Sequence, residues 1–356
     1  MDMLDALRAL VEAESPTADV GACAACADVA DEIAAGVLGS RAERLHVGER
    51  THLRWRFGEP RVLLVGHLDT VWPVGTVARW PFTVGDGRAT GPGVFDMKAG
   101  VVQLLSALES LDSLDGVAVL LTTDEETGSP TGRVVVEETA AGIPAALVLE
   151  PSAGGALKTE RKGVSLYRLA VTGRAAHAGL DPEKGVNAAV ELAHQIVAAA
   201  GLARPELGTT VTPSVVQAGT TMNTVPAHAS AQVDVRVRTA AEAERVHSAL
   251  MGLEPVDPQA SLAVERPVSL PPLERSASAA LFERASRLAA WPLAEAAVGG
   301  GSDGNVLAGL GLQVLDGLGA VGDGAHAEGE YVEIDAMADR AALVAALVRE
   351  LVAGTE

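Results

Sequence analysis

Cysteine is nearly absent from this 356-residue chain. The two that occur, Cys23 and Cys26, form a CxxC inside an alanine-rich stretch with helical spacing, and no second pair follows to complete a thiolate zinc site. They read as helix-packing residues, with a redox role as the lesser alternative. Long apolar runs are missing as well. No stretch approaches the roughly 18 residues that cross a bilayer, and the opening MDMLDALRALVEAES is acidic and amphipathic, unlike a secretory signal. The expectation is a cytoplasmic protein without a membrane partner. Basic residues are the minority, 27 against 47 acidic ones, for a net charge of -20. That sign opposes the phosphate neutralisation on which nucleic-acid affinity depends, so nucleic acid is not an expected partner. Internal repeats and low-complexity tracts are also lacking.

What is present is ordinary globular composition, 48% hydrophobic and 21% charged, over a length that favours about two domains. Apolar spacing of three and four predicts helices over Leu4 to Val11 and Cys23 to Leu38, and RVLLVGH reads as a buried strand. A Gly/Pro-rich loop runs to about Phe95. A helix from Lys98, a strand VAVLLTT, a helix from Gly132 and a strand AALVLE follow. This alternation predicts an α/β fold, a mostly parallel sheet covered by helices. Past about Glu160 the pattern changes to alternating strands such as GVSLYRLAVTG and ASAQVDVRVRT around helical runs, which predicts a small antiparallel α+β unit. Near PVSLPPL the chain turns proline-rich and then resumes the first pattern. The middle is therefore an insert: residues 1–160 and 269–356 form one discontinuous domain and 161–268 the other.

Ligands of an α/β sheet gather outside the carboxyl ends of its strands, and the acidic and histidine residues fall there. His67 and Asp69 follow RVLLVG, Glu125 and Glu126 follow VAVLLTTD, and Glu150 closes AALVLE. Asp96 lies in GPGVFDMKAG and His326 in GDGAHAEGEYV. Imidazoles and carboxylates without a thiolate suit zinc, manganese or cobalt in a hydrolytic centre. A pair of ions needs a ligand that touches both, and Asp96 is the natural bridge. Each ion then takes one His and one Glu, and the remaining Glu of the 125–126 pair accepts a proton. Asp69, two residues beyond His67 on an extended strand, faces the same side and can fix the imidazole tautomer. Taken singly, an acidic residue at a strand end is more often a helix cap or a solvated loop charge. Their joint placement at successive strand ends argues otherwise. His46, His52, His194 and His247 read as structural, and His228 leans the same way.

The segments GHLDTVWPVGT, GPGVFDMKAG, TTDEETGS, LEPS, GRAAHAG and GAHAEGEYV resemble, in order, the signature segments of the M20 metallopeptidase family, its glutamate carboxypeptidase branch in particular. The resemblance runs from about His67 to the C-terminal helix. It implies a zinc-exopeptidase-like catalytic domain, a mixed sheet with helices on both faces, and an inserted dimerisation or lid domain. It further implies two Zn2+ ions, with His67 and Glu150 on one, Glu126 and His326 on the other, Asp96 bridging and Glu125 as general base, and a cis peptide between Asp96 and Met97. By the same resemblance His177 reaches the partner's catalytic site in a homodimer to stabilise an oxyanion. Asn223 and Arg236 resemble positions that bind a substrate carboxylate, and Lys162 and Gly301 resemble substrate-side positions. The expected reaction is hydrolysis of an amide or peptide bond next to a free carboxylate, in a small peptide or N-acyl amino acid. The alternatives are an N-acyl-amino-acid deacylase of acetylornithine or succinyl-diaminopimelate type, a dipeptidase, or a non-catalytic binding protein on the same fold.

Overall fold

A computed structural model describes residues 1–354. The chain divides into two compact units, Met1–Glu160 with Glu274–Val298 and Ser302–Glu356, and Arg161–Leu273 with Gly299–Gly301.

The first unit opens with α1 (Met3–Glu12), α2 (Val20–Leu38), β1 (Glu43–Val47), β2 (Arg50–Phe57) and β3 (Val62–His67). The short elements α3 (Thr76–Arg79), β4 (Thr83–Gly85) and β5 (Arg88–Thr90) fall inside the stretch read from sequence as a loop. Then come α4 (Ala99–Glu109), β6 (Val117–Thr122), α5 (Gly132–Ala140), β7 (Ala145–Val148) and β8 (Leu157–Arg161). The main sheet has six strands, and the last of them, β14 (Gln313–Leu315), is supplied after the insert; the order is β1-β2-β6-β3-β7-β14. β3 runs parallel to both β6 and β7, and β7 runs parallel to β14, whereas β1 and β2 are antiparallel additions. Every residue of β3, β6 and β7 is buried, as strands covered on both faces must be. Val62 and Leu64 of β3 join a core with residues of α1, α2 and α4, while Leu63 and Val65 point to the opposite face.

The second unit contains β9 (Gly163–Thr172), α6 (Ala188–Ala200), β10 (Thr210–Ala218), β11 (His228–Val237), α7 (Ala240–Met251) and β12 (Ser261–Leu270). Its sheet is antiparallel in the order β10-β11-β9-β12. Ala229, Ala231, Val233, Val235 and Val237 alternate into a core under α6 and α7. β12 was not visible in the sequence. It is an edge strand whose register shifts between Glu265 and Val268, and Pro267 sits in that irregularity, where a missing N–H does least harm. The unit accordingly extends to Leu273, beyond the boundary expected at 268.

An ion-pair cluster ties the start of α7 to the turn before β10. The Arg245 guanidinium bonds both Glu242 carboxylate oxygens at 2.7 Å, and the Thr209 hydroxyl donates to Oε2 at 2.8 Å. These bonds, Arg245 foremost, hold the Glu242 carboxyl down to about 2. A depressed carboxylate stabilises the fold fully above its ordinary range and loses that contribution as pH falls toward its folded value. The stability gap between wild type and Glu242→Gln in urea unfolding is therefore expected to be constant above about pH 5 and to close between about pH 4.5 and 2. A gap that persists unchanged through that window refutes the assignment.

The chain re-enters the first unit with α8 (Arg275–Leu288), β13 (Glu295–Val298), α9 (Asp303–Gly309), β14 (Gln313–Leu315), β15 (Gly322–Asp323), β16 (Tyr331–Glu333) and α10 (Ile334–Ala353). β15 and β16 pair with β5 and β4 in a second small sheet that supports the loop carrying His326. α1, α2, α4 and α10 pack together on one side of the main sheet, and α5 and α9 pack on each other beside β6 and β7. No helix among the described residues is long and apolar enough to cross a membrane.

Candidate active site

β3, β6 and β7 end side by side because they share one parallel register, His67 standing opposite Thr122. The residues just past those ends therefore converge. His67 is the last residue of β3 and is buried. Its Nε2 lies 3.3 Å from Asp96 Oδ1, 3.6 Å from Glu150 Oε1 and 4.0 Å from Glu125 Oε2. Asp96 comes from the turn before α4, where the Asp96–Met97 peptide is cis. Its other oxygen, Oδ2, lies 3.5 Å from His326 Nε2, and that imidazole is 2.9 Å from Glu126 Oε2. One carboxylate thus faces two imidazoles, and each imidazole faces a different glutamate.

The adjacent residues Glu125 and Glu126 diverge because they begin a single 3-10 turn, Glu125–Thr127. Asp69 holds that turn: its carboxylate accepts the Glu125 and Glu126 N–H groups, both at 3.2 Å, and the Thr17 hydroxyl at 2.7 Å. The expectation for Asp69 changes in one respect. The nearest partner of His67 Nδ1 is the Asp69 backbone carbonyl at 3.0 Å, and the carboxylate is at 3.5 Å. An N–H on Nδ1 leaves Nε2 as the ligating atom, so the tautomer expected from sequence is supported by backbone first and carboxylate second.

The electrostatics are those of a site with excess negative charge. Burial raises the proton affinity of Glu125 well above the usual range, and the nearby Glu150 adds to it. Burial likewise pushes Glu126 up to about 7, although His67 and His326 oppose it. His326 is raised to about 9, chiefly by its bond with Asp96. For His67, burial favours the neutral ring, but bonds with Asp69, Asp96 and Glu150 prevail and raise it well above the ordinary range. Asp96 goes the other way, burial being outweighed by bonds from His326 and His67.

Carboxylates from Asp96, Glu125, Glu126 and Glu150 outnumber the imidazoles of His67 and His326 at a partly buried site whose His326 is exposed. Such a balance calls for cations. Donor atoms of His67, Glu125 and Glu150 lie within 4.8 Å of one another, and so do those of His67, Asp96 and Glu126. Nitrogen and oxygen donors without sulfur fit borderline divalent ions. The residues present therefore fit divalent metal binding.

Two carboxylates in this neighbourhood escaped the sequence reading. Asp303, at the start of α9, is buried and accepts the Ser129 hydroxyl at 2.7 Å and the Thr122 hydroxyl at 3.3 Å. Burial raises it to about 6. Glu330 is buried as well, in the loop that carries His326, and burial pushes it up to about 7. The position of Glu330 in GAHAEGEYV, four residues past a proposed ligand, was the available signal. The CxxC packs inside the fold: both thiols are free and buried in α2, Cys23 Sγ lies 3.2 Å from the Pro16 carbonyl, and burial pushes that thiol up to about 12.

The remaining expected residues belong to the second unit, where they form two groups. His177 is exposed, and its Nδ1 accepts the N–H groups of Gly179 and Leu180 at 3.1 Å. The ring proton consequently resides on Nε2. The Asn223 carbonyl accepts the Ala178 N–H at 2.9 Å, which places Asn223 beside the His177 loop. Arg236 lies near the far end of β11, opposite Val164 and Thr210, and its fork is taken by Asp234, with Nε–Oδ1 at 2.9 Å. At the rise of a strand, His228 to Arg236 alone is about 27 Å. Asn223 and Arg236 of one chain are therefore too far apart to hold one carboxylate together. Lys162 and Gly301 lie at the Arg236 end: Lys162 Nζ bonds the Gly208 carbonyl at 2.7 Å, and the Arg161 guanidinium bonds the Gly301 carbonyl at 3.2 Å.

Comparison with known proteins gives one consistent picture. The profile of peptidase family M20/M25/M40 matches residues 63–350. Carboxypeptidase G2 of Pseudomonas sp. (strain RS-16) is 30% identical, over 99% of this chain and 90% of its own. A succinyl-diaminopimelate desuccinylase of Nitrosomonas eutropha is 37% identical, but over 39% of this chain and 42% of its own. The crystal structure of an aminopeptidase from Bacillus cereus shares the fold, with a TM-score of 0.74 at 21% identity over 99% of this chain and 98% of that one.

Proposed function

This chain belongs to peptidase family M20/M25/M40 and is a metal-dependent peptidase or amidohydrolase; from that premise we propose that it is a dinuclear zinc carboxypeptidase that releases an amino acid, glutamate by preference, from an N-acyl or peptidyl substrate. The observation that carries the proposal is Asp96 lying between two imidazoles, each with its own glutamate. In this reading His67, Asp96 and Glu150 hold one ion, and His326, Asp96 and Glu126 the other, with Co2+ or Mn2+ as workable substitutes. When bound, the ion pair supplies Lewis acidity and eases loss of a proton from water.

The chain's own residues do the rest. Glu125, with its raised proton affinity, accepts a proton from the attacking water at its carboxylate and delivers it to the leaving amine nitrogen. Asp69 keeps Glu125 and Glu126 pointed apart through their N–H groups. His177 donates from Nε2 to the oxygen of the scissile carbonyl as charge develops there. Arg236 reads the substrate's free carboxylate, with Asp234 as the counter-charge that the substrate displaces. The separation of Arg236, Lys162 and Gly301 from His177 and Asn223 supports a homodimer in which each site draws on both chains.

The carboxypeptidase relative spans nearly the whole chain, whereas the desuccinylase likeness covers a minority of it, which favours the carboxypeptidase reading over a deacylase. A non-catalytic role is disfavoured because the base and every ligand position are filled. The test is a metal analysis followed by a substrate panel with zinc, cobalt and manganese: N-acyl glutamates, other N-acyl amino acids including acetylornithine and succinyl-diaminopimelate, and dipeptides. The expected result is about two ions per chain and the highest kcat/KM on acyl glutamates, falling by about 10²-fold or more when the free carboxylate is amidated. Equal hydrolysis of amidated substrates refutes the carboxypeptidase assignment.

A further inference from the structure

We infer that Glu330 is a positioning residue of the cation cluster: its buried carboxylate joins the loop that follows His67 to the loops that carry Asp96 and His326, and so fixes Asp96 between the imidazoles. The inference rests on the metal-binding reading above. Glu330 Oε1 accepts the Phe95 N–H at 2.8 Å and the Asp96 N–H at 3.4 Å. Oε2 accepts the Trp72 indole N–H at 2.9 Å. Trp72 stands in the loop that leaves β3 after His67 and Asp69, Phe95 and Asp96 form the turn before α4, and Glu330 closes the loop that holds His326. Both oxygens are turned to N–H donors, so this carboxylate holds backbone and indole in place of an ion.

The loop around His326 needs such an anchor. His326 has φ +62, a left-handed conformation that a non-glycine residue keeps only when its surroundings impose it. The Ala327 N–H bonds the Gly324 carbonyl at 2.9 Å and the Glu330 N–H bonds the Ala327 carbonyl at 3.1 Å, which folds Glu330 back over the start of the loop. Gly324 lies under it with φ +87, and a side-chain carbon there would come within 2.8 Å of the Glu330 Cα. A carboxylate is the group required, since every partner is a donor. Glutamine would set an NH2 against either the indole or the Phe95 N–H, and glutamine is therefore an informative replacement.

The experiment uses chelator-treated protein titrated with Co2+, read by its visible absorption and by competition with a chelator of known affinity. Glu330→Gln is expected to weaken cobalt binding by about tenfold or more and to alter the cobalt spectrum, because partners behind a ligand tune its geometry on that scale. Trp72→Phe removes one donor and leaves the bonds to the Asp96 turn, so its loss is expected to be smaller, about threefold. Glu328→Gln is the control. It breaks an exposed pair with Arg79 at 2.6 Å on the same loop and is expected to leave both readouts unchanged. Wild-type cobalt affinity and spectrum in Glu330→Gln overturn the inference whatever its thermal stability, as does an equal loss in the Glu328 control. If Glu330→Gln fails to fold, unchanged affinity in Trp72→Phe overturns it. A wild-type protein that binds no cobalt defeats the metal-binding reading itself, a different and separately visible outcome.

Discussion

Glu125→Gln is expected to lower kcat by about 10²- to 10⁴-fold while KM changes little and the ion content per chain stays at the wild-type value. Glutamine preserves shape and removes only the capacity to take a proton. The geometry is demanding here because Glu125 is itself close to His67, at 4.0 Å, and a carboxylate so placed can serve as a ligand as well as a base. Its neighbour decides between the roles. Glu126 is 2.9 Å from His326 and adjoins Asp96 as well, so Glu126→Gln is expected to lose both activity and an ion. Metal analysis of the two variants side by side separates base from ligand. Loss of an ion in Glu125→Gln, with full ion content in Glu126→Gln, exchanges the assignments; unchanged turnover in Glu125→Gln removes Glu125 from the chemistry.

The convergence behind that prediction was legible in the sequence because it depends on strand ends. β3, β6 and β7 are short continuous apolar runs, and polar residues closing such runs have nowhere to go but the crevice beyond the sheet. His67, Glu125, Glu126 and Glu150 follow from that rule alone. Asp96 and His326 lie in a glycine-rich turn and a late loop that carry no periodicity, so only their chemistry as a carboxylate and an imidazole singled them out, and the pairing of each ligand with an ion required the family resemblance. Asp303 and Glu330 were hidden for a related reason. A carboxylate that accepts N–H or O–H groups in the interior looks, in one dimension, like any acidic loop residue. Periodicity also fails for short pieces: β4, β5, β15 and β16 have two or three residues each, and Pro267 masked β12. Proximity along the chain does not give proximity in space here. Asn223 and Arg236 are thirteen positions apart in sequence, but Asn223 lies in the loop before β11 and Arg236 near the other end of that strand.

That separation gives the second large effect. If His177 and Asn223 act at a site completed by another chain's Glu125, then a protein carrying His177→Ala and one carrying Glu125→Gln should each be nearly inactive, the first by about 10²- to 10³-fold for a lost oxyanion donor. A heterodimer of the two, isolated with different affinity tags, restores one complete site. The intact Glu125 of the His177→Ala chain then meets the intact His177 of the Glu125→Gln chain, while the other site lacks both. Two-fold symmetry sets the expected activity at about half that of the wild-type dimer. The tautomer supports the role, because backbone N–H groups on Nδ1 leave Nε2 as a donor. A donor fixed before substrate arrives costs no reorganisation when charge develops. An isolated heterodimer no more active than its parents would mean that each chain uses its own His177 or none, and a wild-type protein that sediments as a monomer would defeat the shared site at once.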